Sequence, residues 1–249
     1  MNERTRFCDG LTRYTQTTGL FLLLLATTVS VCLARQQTTS KRLRTPRGSG
    51  LKTIQLPEPS TSSGVSLEAA LTAQQQVEPP SNQRLGFPDI GQLAWAARSA
   101  VPAQGDAAPT ANQQPPISIY FVLPDGIYLY DPGTHGLQQK TNQDVRTVMA
   151  TSLLNQPVAP TGGCQIVLVG SSRNFVPRYG PRAKSVMLLQ AGQMAQSIKL
   201  QSLALGLTFV SIDAVDTAMV KRICRFPRSV EPLYVCLLYT SPSPRDLST

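Results

Sequence analysis

The stretch YGPRAKSVMLLQAGQMAQSIKLQSLALGLTFVSIDAV, Tyr179 to Val215, decides the fold. Between Pro181 and Asp213 it holds neither a proline nor an acidic residue, and the apolar Val186, Leu189, Met194, Ala195, Ile198 and Leu203 suggest close burial against other helices. One long helix is predicted from about Arg182 to Leu205. Ala191 and Gly192 are small enough to let another helix approach closely. Gly206 stands at the C′ position, where helices end on a left-handed residue. Leu207 to Ile212 then reads as a short strand.

Working outward, Gln165 to Val169 is an apolar run of buried-strand type, ended by Gly170-Ser171-Ser172. Ile117 to Leu123 is dense in β-branched and aromatic residues. Asp125-Gly126 turns it into Ile127 to Tyr130 as a hairpin, which Asp131-Pro132-Gly133 closes. Helices are predicted over Gln143–Leu154 (Val145, Val148, Met149, Leu153) and Thr217–Arg225, with an edge strand over Pro232–Val235. Pro88-Asp89 opens a helix on which Ile90, Leu93, Ala94 and Ala97 share a face, and Trp95 is expected to pack in the core with them. Ser66 is a fair N-cap for SLEAAL, a short helix that Pro79 and Pro80 end. A loose stretch separates these parts from Val101 to Pro116. The order of elements predicts an α+β fold with a mixed sheet flanked by helices.

The ends read differently. Arg4, Arg6 and Arg13 precede the apolar run Gly19–Ala34, the order of a secretory signal. Residues 1–35 are therefore expected to be a signal peptide or an uncleaved signal anchor, placing the protein outside the cytoplasm or on a membrane through that segment alone. Residues 36–65, rich in Thr, Ser, Pro, Gly and basic side chains, read as a flexible linker. The domain proper is expected over 66–235. CLLYTSPSPRD, Cys236 to Asp246, matches the translation of a transposase adapter used in short-read library preparation. Residues 236–249 are accordingly set aside as a sequencing-adapter artefact, with the natural continuation after Val235 replaced.

Several chemistries are excluded. The net charge of +9 owes much to Arg35, Lys41, Arg42, Arg44, Arg47 and Lys52, a basic flank beside the apolar run, so nucleic acid is not an expected partner. No cysteines form a CxxC pair. Cys164 and Cys224 lie within the domain as buried free thiols or one disulfide. His135 is the single histidine, expected as a solvated residue of the PGTHG turn, which leaves no histidine-rich metal site and no Ser-His-Asp triad. Gly170-Ser171-Ser172 lacks the flanks of a nucleophile elbow, and neither GxGxxG nor GxxxxGK occurs.

ALTAQQQV, APTANQQPPISIYFVLPDGIYLYDP, the long-helix segment and EPLYV follow in the order and spacing of nitroreductase-like proteins. Over Ile54 to Val235 the chain resembles that family, most closely its SagB-type branch, and AGQMAQ with LALGL is the most specific piece. The resemblance implies a homodimer with the long helix at its interface, FMN bound between subunits, and NAD(P)H as co-substrate. It implies hydride passing through the flavin to a small electron-poor acceptor, with no side chain acting as acid or nucleophile. Pro109, Thr110, Ala111 and Asn112 fall on the segment that lines the flavin in relatives. Ser211, Ile212, Asp213 and Ala214 fall on the strand-end turn that passes it. Gln74, Gln75 and Gln76, with Glu78 close by, stand where relatives carry arginines and a serine for the FMN phosphate. Glutamine offers neutral donors where arginine offers charge and a fork. The resemblance therefore carries an alternative: a non-catalytic member of the fold with weak or lost flavin binding.

Overall fold

In the computed structural model the chain divides into Met1–Ser49 and Gly50–Thr249. The structure describes residues 51–73, 84–101, 115–152, 162–212 and 214–240, all within the second unit. The expected signal segment, residues 36–50 of the linker, the Pro79-Pro80 stop and residues 241–249 lie outside them.

Seven strands form one sheet: β1 (Thr53–Gln55), β2 (Ile117–Leu123), β3 (Gly126–Asp131), β4 (Gly136–Thr141), β5 (Cys164–Gly170), β6 (Leu207–Ile212) and β7 (Glu231–Thr240), in the order β1-β4-β3-β2-β5-β7-β6. Every pairing among them is antiparallel. The sheet is thus antiparallel where a mixed one was expected. The crossover from β5 through the long helix returns β6 in the direction of β5, but β7 inserts between them and pairs antiparallel with both.

Helices cover both faces. On one face α2 (Phe87–Ser99) and α5 (Ala183–Ala204) pack on Ile119, Phe121, Ile166 and Leu168 through Ile90, Leu93, Ala94, Met187, Met194 and Ile198. α1 (Leu67–Ala73), capped by the Ser66 hydroxyl accepting from the Ala69 amide at 3.1 Å, packs against α5. The opposite face carries α3 (Arg146–Ala150) and α6 (Thr217–Ile223), whose Met149 and Val220 meet Val122, Val167, Val169 and Val235. A one-turn helix α4 (Val176–Tyr179) leads from β5 into α5. Gly170 permits the close approach there. A Cβ on it would stand 2.8 Å from Leu233 Cδ1 and 3.0 Å from Met187 Sδ, so a side chain there would require both of these side chains to shift. α5 ends as expected, with Gly206 at φ +70 donating its amide to Leu203.

Several boundaries differ from the sequence reading. The ordered domain begins before Ser66: β1 pairs with β4, and Leu56 is buried. Within the expected linker, residues 51–65 are therefore part of the fold. β4 was not anticipated. α3 is one short turn inside the expected 143–154 helix. Pro232–Val235 opens an interior strand, not an edge. Pro232 is tolerated because it sits at the register shift between Leu168 and Val169. β7 also runs past Val235, and Cys236, Leu237, Leu238 and Tyr239 are buried between β5 and β6. β7 thus runs to Thr240, because CLLY continues the apolar run that the interior strand requires. Cys164 and Cys224 are free and pack on opposite faces of the sheet, which rules out their disulfide. Burial raises both thiol pKa values, Cys224 to about 12.

Candidate functional site

One end of the sheet holds the start of β2 and the end of β6. β2 begins at Ile117 opposite Gly170, the last residue of β5, and Gly170 faces Glu231 at the start of β7. β6 ends nearby, at Ile212 opposite Val235. The chain that carries Pro109–Asn112 therefore enters β2 at the end where the 211–214 turn leaves β6. Pro109, Thr110, Ala111, Asn112 and Asp213 themselves lie outside the described residues, as do Gln74, Gln75, Gln76 and Glu78.

The turn after β6 is anchored on both sides. Ahead of it, Ile212 is buried and paired. Behind it, the Asp216 amide donates to the Ser152 carbonyl at 2.8 Å, and its carboxylate caps α6 by accepting from the Met219 amide at 2.9 Å. Ala214 is exposed between these anchors. The Ser211 hydroxyl shares a 2.6 Å hydrogen bond with the Tyr234 hydroxyl, so this side chain is engaged across to β7.

The same end carries a cluster of basic side chains, with Glu231 and Asp216 as its acidic neighbours. Arg173, Arg178, Arg182 and Lys184 are exposed on the connection from β5 into α5, and no acidic residue occurs between Asp144 and Asp213. Such a run raises the local concentration of anions. Among the described residues no three of His, Cys, Asp and Glu gather as metal ligands.

At the other edge, the β3–β4 turn is more built than the sequence suggested. His135 is half-buried at φ 45, and its Nδ1 pairs with the Tyr130 hydroxyl at 2.9 Å. Its Nε2 lies 2.9 Å from the Pro57 carbonyl. The Pro57 carbonyl can only accept, so Nε2 carries a proton. His135 is thus a clip holding the β1 segment rather than a solvated turn residue. At the other end of β3, Tyr128 donates to Asp125 Oδ2 at 2.9 Å, and Arg84 Nη2 donates to the same oxygen at 3.0 Å. Burial first, then the Asp125 hydrogen bond and charge, push the Tyr128 phenol up to about 12. Trp95, expected in the core, is half-buried and lines a cavity at the opposite end of α5.

A model of the Nitroreductase family matches residues 81–239. The chain belongs to the nitroreductase family. A protein of Methanocaldococcus jannaschii named a "putative nitroreductase" is 24% identical over 168 residues, covering 65% of this chain and 83% of that one. The fold of a "putative nitroreductase" from Ralstonia eutropha JMP134 superposes with a TM-score of 0.63 at 24% identity, over 79% of this chain and 92% of its own. One from Anabaena variabilis gives 0.62 at 16% identity, over 77% and 42%. A chain of the Escherichia coli microcin synthetase McbBCD complex gives 0.53 at 16% identity, over 76% and 78%. At these identities the structural likenesses establish the α+β nitroreductase fold, long helix included. Sequence reading missed the roles of Trp95 at the cavity and of His135 in its clip.

Proposed function

We propose that this nitroreductase-family oxidoreductase is FMN-dependent and belongs to the SagB-type branch, using NAD(P)H to reduce a small electron-poor acceptor. The observation that carries this reading is the convergence of the β2 entry and the β6 exit at one basic end of the sheet. The residues present there fit a flavin in two respects. Ala214 is small and exposed on an anchored turn, leaving the backbone of that turn accessible to a planar ring edge. Arg173, Arg178, Arg182 and Lys184 supply positive charge for an anionic phosphate in a chain that carries glutamines at 74–76. Ser211 contributes through its backbone, since its hydroxyl is held by Tyr234. FMN, when bound, supplies the hydride chemistry; the protein binds, orients and excludes water.

The protein acts as a homodimer through the exposed side of α5, where Leu188 and Leu189 project. Its N-terminal segment directs it out of the cytoplasm or anchors it to a membrane. A second reading, a fold that has lost its flavin, is favoured by Gln74, Gln75, Gln76 and Glu78 in place of a cationic phosphate grip. One experiment separates the two. The chain, with its natural residues restored after Val235, is purified, incubated with FMN, desalted and assayed. A retained flavin absorption band with NAD(P)H oxidation supports the first reading. Colourless protein that does not take up FMN overturns it.

A further inference from the structure

A cavity of about 360 Å³ opens at the C-terminal end of α5, between α2 and the loop that follows β1. It lies one strand length, roughly 17 Å along β6, from the turn at 213–215. Its walls include Glu58, Asp89, Gln92, Trp95, Gln201 and Leu205. The loop wall is held in shape: the Ser60 amide donates to Gln92 Oε1 at 2.8 Å, and Gln92 Nε2 returns a 2.8 Å bond to the Ser60 carbonyl.

Glu58 and the C-terminal end of α5 give this cavity a negative sign, while Asp89 cancels the positive end of α2 that borders it. Among the described residues the cavity's only charged lining side chains are the carboxylates Glu58 and Asp89, in a chain whose net charge is +9. It sits at the negative end of the dipole of α5, a helix of 22 residues. The opposing positive end of α2 is offset by its own Asp89, whose Oδ2 accepts from the Gly86 amide at 3.3 Å. The half-buried Trp95 adds an indole, the strongest aromatic partner for a cation. Ala204, Leu205 and Pro88 supply apolar wall for carbon.

We propose that this cavity binds a small organic ammonium ion, its charge directed at Glu58 and Asp89 and its carbon body against Trp95. The site is separate from the flavin reading and holds whether or not FMN binds.

Trp95 is the only tryptophan in the chain, so its fluorescence reports on this cavity alone. The full chain is titrated at constant ionic strength with choline, and separately with dimethylbutanol, its uncharged carbon isostere. Calorimetry is run in parallel. A saturable change in Trp95 emission with choline and none with dimethylbutanol is expected. Glu58 is exposed, so its substitution leaves the fold intact, which circular dichroism checks. Glu58→Gln should weaken choline roughly threefold and Glu58→Lys roughly tenfold, the scale of one partly solvated charge contact. Equal response to dimethylbutanol, a flat titration by both methods, or unchanged affinity in Glu58→Lys each overturns the proposal.

Discussion

Replacing Leu189 by glutamate tests the dimer reading. In the single chain Leu189 is 69% exposed on α5, beside Leu188 at 47%. Full burial of a leucine is worth about 1.5–3 kcal/mol, so the exposed part of Leu189 represents about 1–2 kcal/mol. A two-fold symmetric contact buries two copies, about 2–4 kcal/mol in all. Losing that term raises the dimer dissociation constant by about thirty- to a thousand-fold, at about 1.4 kcal/mol per factor of ten. Burying the new carboxylate adds to the loss. The protomer itself should lose no more than about 0.5 kcal/mol, because the side chain has little packing to give up. Sedimentation velocity over a dilution series reads the association, and circular dichroism with thermal melting at low concentration reads the protomer. An unchanged dissociation constant for Leu189→Glu would refute the placement of the interface on this face of α5. A collapse of the fold at all concentrations would refute the claim that Leu189 is surface.

Gly126→Ala puts a Cβ 1.9 Å from the Thr141 carbonyl oxygen at a φ of +137, which forces the β3–β4 pairing apart. Urea unfolding should show a loss of about 3 kcal/mol or more, and a loss below about 1 kcal/mol would contradict the register. His135→Asn keeps a residue that tolerates the left-handed backbone while removing the ring bonds to Tyr130 and Pro57. It should cost about 1–2 kcal/mol and speed hydrogen exchange at the Leu56 amide, which donates to the His135 carbonyl; unchanged exchange at Leu56 argues against the clip. Tyr128 and Tyr130 both have phenols raised to about 12, by burial first. Their native state holds protons that the unfolded chain releases near pH 10. Stability is therefore intact below pH 10 and falls as pH rises towards 12, with phenolate absorbance appearing only above the unfolded range; a normal titration of all tyrosines near pH 10 refutes it.

How much of this fold could be read in advance depended on where each element finds its stabilisation. β5 and α5 were legible because their own residues carry the signal: CQIVLVG is buried throughout, and α5 runs without a proline or an acidic residue to the glycine that ends it. β4 was not. In GLQQKT, Leu137 is the one apolar side chain, and the strand buries Gln139, whose amide is satisfied by the Asp125 carbonyl, the Tyr128 hydroxyl and the Lys52 amide. None of those partners is visible from β4 itself. β1 is three residues long and half exposed, and it is held by β4 and the His135 clip. Pro232 suggested an edge because it lacks an amide proton, but a register shift absorbs that loss inside the sheet.

The candidate site was legible to the same uneven degree. Trp95 carried a signal that could have been used. At about 100° per residue it lies roughly 150° from the centre of the arc formed by Ile90, Leu93, Ala94 and Ala97. Helical geometry alone therefore turns it from the core towards the cavity. Ser211 carried no such signal, because β6 buries only its two end residues and shows no alternation to fix which way a side chain points. Its partner Tyr234 stands 23 residues away. The convergence of the two marked loops is likewise a property of register: Ile117 meets Gly170, and Gly170 meets Glu231, only once three distant strands are paired. Composition hid the charge as well. The basic residues near the N-terminus dominate the total, while Arg173, Arg178, Arg182 and Lys184 become a feature only when the fold places them at one end of the sheet.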